Sequence, residues 1–284
     1  MSDRPPSLLD RTEERRRLAE RLAVVPAVVV GVVVGLVVAV VLAVVVHVVV
    51  GILLGLVAGA GLAAAALVAL RGQSTVAAVE VLGGRPADAT EFPRLVNLVE
   101  GLAIATGDTA PELRVLDCGA ANLAVAGAPG AAVMVLTTGL LATLDRVELE
   151  GVLAEGMARI RSHDAHLGAV AARRVAGPLL RATPGAAPGT AARRAERVRV
   201  LLGEQRDLLA DLAAVDITRY PPALGSALEK LAATGTCVPG ATLGTAHLWL
   251  VDPLPPVTEG AADPHRPFRM HQPIEHRVGL MAEL

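Results

Sequence analysis

"LEGVLAEGMARIRSHDAH", residues 149–166, sets a charged centre within an apolar repeat. Leu149, Val152, Leu153, Met157 and Ile160 recur at helical spacing and predict a helix with a buried face. Inside that face stand Glu155 and Arg159, one turn apart, where packing calls for apolar side chains. His163 and His166 follow at i, i+3 on the same predicted helix. A histidine pair with no third ligand in view reads as a solvated helix end. At about 1.5 Å per residue, His166 lies on the order of 16 Å from Glu155, too far to share a metal with it.

Outward from this helix the pattern is helix-dominated. "FPRLVNLVEGLAIATG" has helical periodicity and stops at Gly107, whereas "PELRVLD" and "AAVMVLTTG" are short β-type runs. A helix is expected from about Ala192 to Val215, another in "YPPALGSALEKLAATG", and a last short one in "PIEHRVGLMAEL". The expected fold is α+β, helix-dominated, with a small sheet.

The N-terminal third has a different composition. From Leu22 to Leu70 the chain is nearly all Val, Ala, Leu, Gly and Ile, with His47 its one ionisable side chain. A membrane-spanning helix needs ~20 residues, so this run predicts a two-helix transmembrane hairpin with His47 in the turn. Arginines crowd the flank before it and Arg71 follows it, so the positive-inside rule places both termini and the C-terminal domain in the cytoplasm. The expected organisation is a cytoplasmic amphipathic segment at 1–23 lying near the membrane surface, the hairpin at 24–70, a connector at 71–91 and a folded domain at 92–284. The expected location is the plasma (inner) membrane, with the lipid bilayer as first partner.

Overall, 53% of residues are hydrophobic, 1% are aromatic and the formal charge is −2. No basic field or stacking platform exists for nucleic acid, which is excluded as a partner. Cys118 and Cys237 form no ligand cluster, fit a reducing compartment, and read as packing residues.

The order of elements and the words within it resemble the HtpX-type membrane zinc metalloproteases, the group that includes the CAAX prenyl proteases. "ANLAVAG" (121–127) is similar to that family's PNAFATG segment, and "AAVMVLTTGLLATLDRVELEGVLAEGMARI" to its edge strand, linker helix and active-site helix. "RDLLADLAAVDITRYPPALGSALEKL" is similar to the helix carrying RExxAD, and "MHQPIEHRV" to a THPPxxERI tail. The resemblance implies a zincin-like domain. It also implies that Asn122, Asp164, Asp211 and His271 stand at supporting family positions.

The same resemblance sets the chemistry in doubt. In the family HExxH motif two histidines hold zinc and the glutamate is the general base. Here Glu155 and Arg159 fall at the histidines, Gly156 at the base, and Asp207 at the third ligand. The implied site is degenerate, with no catalytic group intact, no metal ligand set and no cofactor. One expectation is that the Arg159 guanidinium replaces the metal between Glu155 and Asp207; the other is an open cleft with solvated side chains. The segment 167–198, broken by arginines and prolines, cannot supply the further spans usual in bacterial members.

The implied function is a pseudoprotease in peptide or protein binding or regulation. Its partners would be extended peptides, membrane-protein clients or an active paralogue. Val133, Met134, Val135 and Leu136, at the family's edge strand, are the candidates for pairing with peptide backbone. The alternative is an active zinc metalloendopeptidase in membrane-protein proteolysis, using an unconventional carboxylate site. A third reading is a bare structural anchor whose cleft is filled by the loop at 177–190.

Overall fold

Asp145, one residue past the Leu144 cap that closes the preceding helix, opens the central one. Its carboxylate accepts from the Val147 and Glu148 amides, and the Glu148 side chain accepts from the Asp145 amide, closing a capping box. From this cap α5 runs over Arg146–Arg161, with every residue from Gly151 to Ile160 buried. The helix does not continue to residue 166 as the sequence predicts. His163 adopts a left-handed backbone (φ 56°) and α6 restarts at Asp164–Arg174. His163 and His166 therefore do not share a helix with Glu155.

The computed structural model describes residues 8–45, 52–66, 80, 82–174, 190–255 and 270–284. His47, Arg71 and all but the last residue of the 177–190 loop lie outside them. Before α5 come α1 (Leu8–Val45), α2 (Ile52–Ala66), β1 (Arg85–Pro86), α3 (Pro93–Thr106), β2 (Glu112–Leu116), β3 (Leu123–Ala126), β4 (Val133–Thr137) and α4 (Thr138–Thr143). After α6 come α7 (Thr190–Leu202), α8 (Arg206–Thr218), α9 (Pro221–Thr234), a 3₁₀ turn at Ala246–Leu248 and α10 (Ile274–Glu283). The single helix expected near 192–215 is thus two, separated by Gly203 at φ 85°. That backbone region is one that glycine reaches without steric cost.

The sheet is mixed, in the order β1-β2-β4-β3. β4 is parallel to β2 and antiparallel to β3, so both of its edges are taken. Val133, Met134, Val135 and Leu136 are buried in the middle of the sheet, which corrects the expectation of a free edge at these residues. The outer strand beside α5 is β3, and its own free side is partly filled. Ala124 bridges Trp249, and the Leu250 amide donates to the Leu123 carbonyl at 2.7 Å. The main core joins one face of the sheet to α3, α5 and α9 through residues such as Leu95, Met134, Leu136, Leu153 and Leu228.

α1 is one continuous helix from the charged segment into the apolar run, and Val24–Val41 is long and apolar enough to cross a membrane. α2 is apolar and shorter. A Cβ on Gly55 would lie 2.6 Å from the Gly35 carbonyl oxygen, and one on Gly59 2.6 Å from that of Gly31. Glycine at these four positions is what lets the two backbones approach. The charged turns of α1 contact the folded domain. They pack on α6, with Leu18 against the cluster of Leu167, Val198 and Leu202.

Candidate functional site

Glu155 and Arg159 stand on consecutive turns of α5, and α8 crosses them with Asp207 in its first turn and Asp211 in its second. Arg159 Nε donates to Glu155 Oε1 at 2.6 Å, and a terminal nitrogen donates to Asp207 Oδ1 at 3.0 Å. Its other terminal nitrogen reaches the Trp249 carbonyl at 3.5 Å. Glu155 and Asp207 are 0% exposed and Arg159 is 1% exposed, so the arrangement is a sealed ion-pair network and not an open cleft. Burial on this scale tolerates charge only when it is paired and hydrogen-bonded.

α10 closes the other side. Arg277 forks onto Asp211 at 2.8 and 2.7 Å, donates to the Leu250 carbonyl at 2.6 Å, and lies 3.7 Å from Glu155 Oε1. His271, just before α10, lies between Asp207 Oδ2 (3.2 Å) and the Ala246 carbonyl (3.0 Å), and the Gln272 amide donates to the same Asp207 oxygen at 3.1 Å. On the α6 side Arg206 pairs with Asp164 and donates to the His247 carbonyl. Asn122 at the head of β3 is a latch: its amide nitrogen donates to the Thr236 and Val251 carbonyls at 3.1 and 2.9 Å.

These neighbours pull the ionisable groups apart. Burial pushes Glu155 up, against the opposing pull of Arg159 and Arg277, and its Oε2 accepts no hydrogen bond among the described residues. Burial would also raise Asp207, yet His271 and Arg159 hold its carboxyl well below the usual range. Asp164, against the same burial cost, is held down to about 2 by Arg206 and Arg15. His247 is pushed down to about 3, mainly by burial and then by Arg206, and stays neutral.

Gly156, between the two charged residues, faces the sheet. A Cβ there would lie 2.9 Å from Met134 Cε, 3.2 Å from Leu123 Cδ2 and 3.3 Å from Val125 Cγ2. The space a side chain would need at this position is filled by the apolar residues of β3 and β4.

Thus Glu155, Arg159 and Asp207 meet, Asp211 and His271 join them, and Asp164 sits at the rim. Val133–Leu136 do not take part as a peptide edge; Met134 enters only as packing against Gly156. Arg206, Arg277 and His247 are members that sequence reasoning missed. Arg206 and Arg277 stand inside the words "RDLLAD" and "EHRV", and a permanent cation embedded in a helix with an apolar face was the available signal. His247 carried none.

The zinc implied by the resemblance can be tested against this donor set. A guanidinium cannot ligate a metal and repels a divalent cation, and it fills the space between the two carboxylates that converge here from α5 and α8. Among the described residues no three His, Cys, Asp or Glu side chains gather to hold a metal. The residues present do not fit a zinc ion.

Comparison with known proteins agrees on ancestry. A protein from Dictyoglomus thermophilum named "Protease HtpX homolog" is 34% identical over 220 residues, covering 69% of this chain and 71% of its own. A protein of the same name from Tropheryma whipplei (strain Twist) is 31% identical over 231 residues, 73% and 78% of the two chains. One from Acidiphilium cryptum is 30% identical over 262 residues, 80% and 88%. No family model and no solved structure matches. Identity of this level, sustained over most of both chains, is what a shared fold and descent produce: the chain belongs to the HtpX-type protease family.

Proposed function

We propose that this chain is a catalytically silent member of its family, a pseudoprotease anchored in the membrane that acts by binding or regulating other membrane proteins. One observation carries the reading: the Arg159 guanidinium sits between Glu155 and Asp207, with all three sealed from water. In the family pattern these are the zinc positions. Zinc hydrolases depend on metal lowering the pKa of bound water from ~15.7 to about 7. Gly156, at the family's general-base position, has no group to move a proton, a role worth roughly 10²–10⁴-fold. With metal and base both replaced, nothing generates the nucleophile.

In this reading the domain is a zincin-like scaffold held by a two-span hairpin, with both ends on the cytoplasmic face of the inner membrane. The long apolar helix and the arginines at its start support that placement. Capture of an extended peptide by strand addition has little to recommend it, because β4 is internal and Trp249 and Leu250 sit against β3. Contact with a client or an active paralogue then falls to the apolar helices, whose Leu36 and Val57 are 66% and 70% exposed. The test is metal analysis of the purified full chain together with casein digestion, with and without chelator. Substoichiometric zinc and no chelator-sensitive cleavage are expected; stoichiometric zinc with chelator-sensitive cleavage would overturn the proposal.

A further inference from the structure

The charged start of α1 makes a specific contact with the rim of the sealed network. Arg15 reaches the break between α5 and α6, placing one guanidinium nitrogen 3.2 Å from Asp164 Oδ1 and 3.3 Å from Ser162 Oγ. Asp164 is 1% exposed and is already held by Arg206, so two arginines from distant parts of the chain share one buried carboxylate. Ser162 Oγ in turn donates to the Arg159 carbonyl at 3.3 Å. Arg206 is followed directly by Asp207, which binds the Arg159 side chain. Two short routes therefore lead from Arg15 to Arg159, one through Ser162 and one through Asp164 and α8.

Two further features make this contact a joint. First, α1 is a single helix from Leu8 to Val45, with Pro26 inside it, so the turn carrying Arg15 and the apolar Val24–Val41 stretch belong to one element. Second, Leu18, about one turn beyond Arg15, packs on the cluster of Leu167, Val198 and Leu202, which fixes the helix by apolar contact beside the ionic one. α1 and the α7–α8 loop also wall a cleft of about 460 Å³, lined by Glu14, Arg15, Leu18, Leu202, Gly203 and Arg206 among others. Neighbouring arginines do not share this role: Arg16 and Arg17 are exposed and pair with Glu20 and Glu13 on α1 itself.

We propose that the start of α1 is a clasp in which Arg15, seated on Ser162 and Asp164, couples the apolar helix mechanically to the Glu155–Arg159–Asp207 network. A tilt or rotation of α1 is then felt at Arg159, and a partner that engages the apolar helices alters the packing around Trp249. Such a coupling requires a contiguous set of packed and hydrogen-bonded groups, and the route through Ser162 supplies one. The inference does not depend on whether the domain is catalytic; it concerns how the anchor and the domain are joined.

Trp249 is the only tryptophan in the chain; its indole is buried among Ala124, Val135 and Leu248 and its backbone carbonyl faces Arg159, so its fluorescence reports on the packing beside the network. The experiment is hydrogen exchange and tryptophan emission on the full chain in detergent or nanodiscs, comparing Arg15→Met, Arg15→Lys and the control Arg17→Met. In the wild type, amides of residues 12–18 are expected to be as protected as those of α6; free exchange there would by itself overturn the clasp. Arg15→Met should speed exchange about tenfold both in 12–18 and in 159–166 and shift Trp249 emission to the red. Arg15→Lys should keep most of the protection, and Arg17→Met should match the wild type. Faster exchange confined to α1, or equal effects of the Arg15 and Arg17 substitutions, would refute the coupling. The wild-type and Arg15→Lys measurements decide the matter even where Arg15→Met does not fold.

Discussion

Removing the Arg159 guanidinium is the sharpest perturbation this fold offers. Arg159→Ala deletes contacts to Glu155 at 2.6 Å, Asp207 at 3.0 Å and the Trp249 carbonyl at 3.5 Å. Glu155 would keep only the longer approach of Arg277 at 3.7 Å, with Oε2 already unpartnered. Asp207 loses less, since His271 and the Gln272 amide remain on its other oxygen. Breaking a buried pair by removing one partner costs about 3–5 kcal/mol, because an uncompensated charge stays inside. For a folded domain of this size, one kcal/mol corresponds to roughly 2–4 °C, so the melting temperature should fall by about 6–20 °C. The assay is thermal unfolding of the full chain followed by Trp249 emission. The double variant Glu155→Leu with Arg159→Met should recover much of the loss, since it removes the stranded carboxylate and refills the volume. A melting temperature within about 2 °C of wild type for Arg159→Ala would refute the claim that the pair is sealed and mutually dependent.

Restoring the family pattern should not restore a protease. In the triple variant Glu155→His, Gly156→Glu, Arg159→His, the glutamate side chain introduced at position 156 would enter space held by Met134, Leu123 and Val125. Overpacking of this kind costs about 1–3 kcal/mol, and metal analysis should find less than one zinc per chain unless Met134 is also made smaller. The buried network also sets an acid limit. His247 has its pKa lowered to about 3, so the unfolded chain takes up a proton below about pH 6.5 that the fold refuses. Stability should therefore decline as pH falls from about 6.5, and His247→Gln should flatten melting temperature against pH between 5 and 6.5; an unchanged slope would exclude His247 as the cause. Asp164, held down to about 2, contributes stability above its unfolded pKa that disappears between about pH 4 and 2. Arg15→Met should move that acid transition upward, read by Trp249 emission against pH.

The local features of this protein are written in its sequence. The Asp145–Glu148 capping box, the Gly107 stop and the apolar run beginning after the arginines all depend on neighbours a few residues away, and each appears in the structure. The Glu155, Arg159 and Asp207 triad was legible too, because an acid and a base on a buried face are visible in the helical period and the family words supplied the third member. What one dimension could not carry was which elements lie side by side. β4 reads as a strand in any register, but only packing put it between β2 and β3 and removed its free edge. Met134 closes the space over Gly156 only because the sheet and α5 meet at that spacing. The pairing of Arg277 with Asp211, of Arg206 with Asp164, and of Arg15 with that same carboxylate joins segments far apart in the chain. Burial decides these pairs: a cation excluded from water must find an anion, and the tertiary fold determines which anion is within reach.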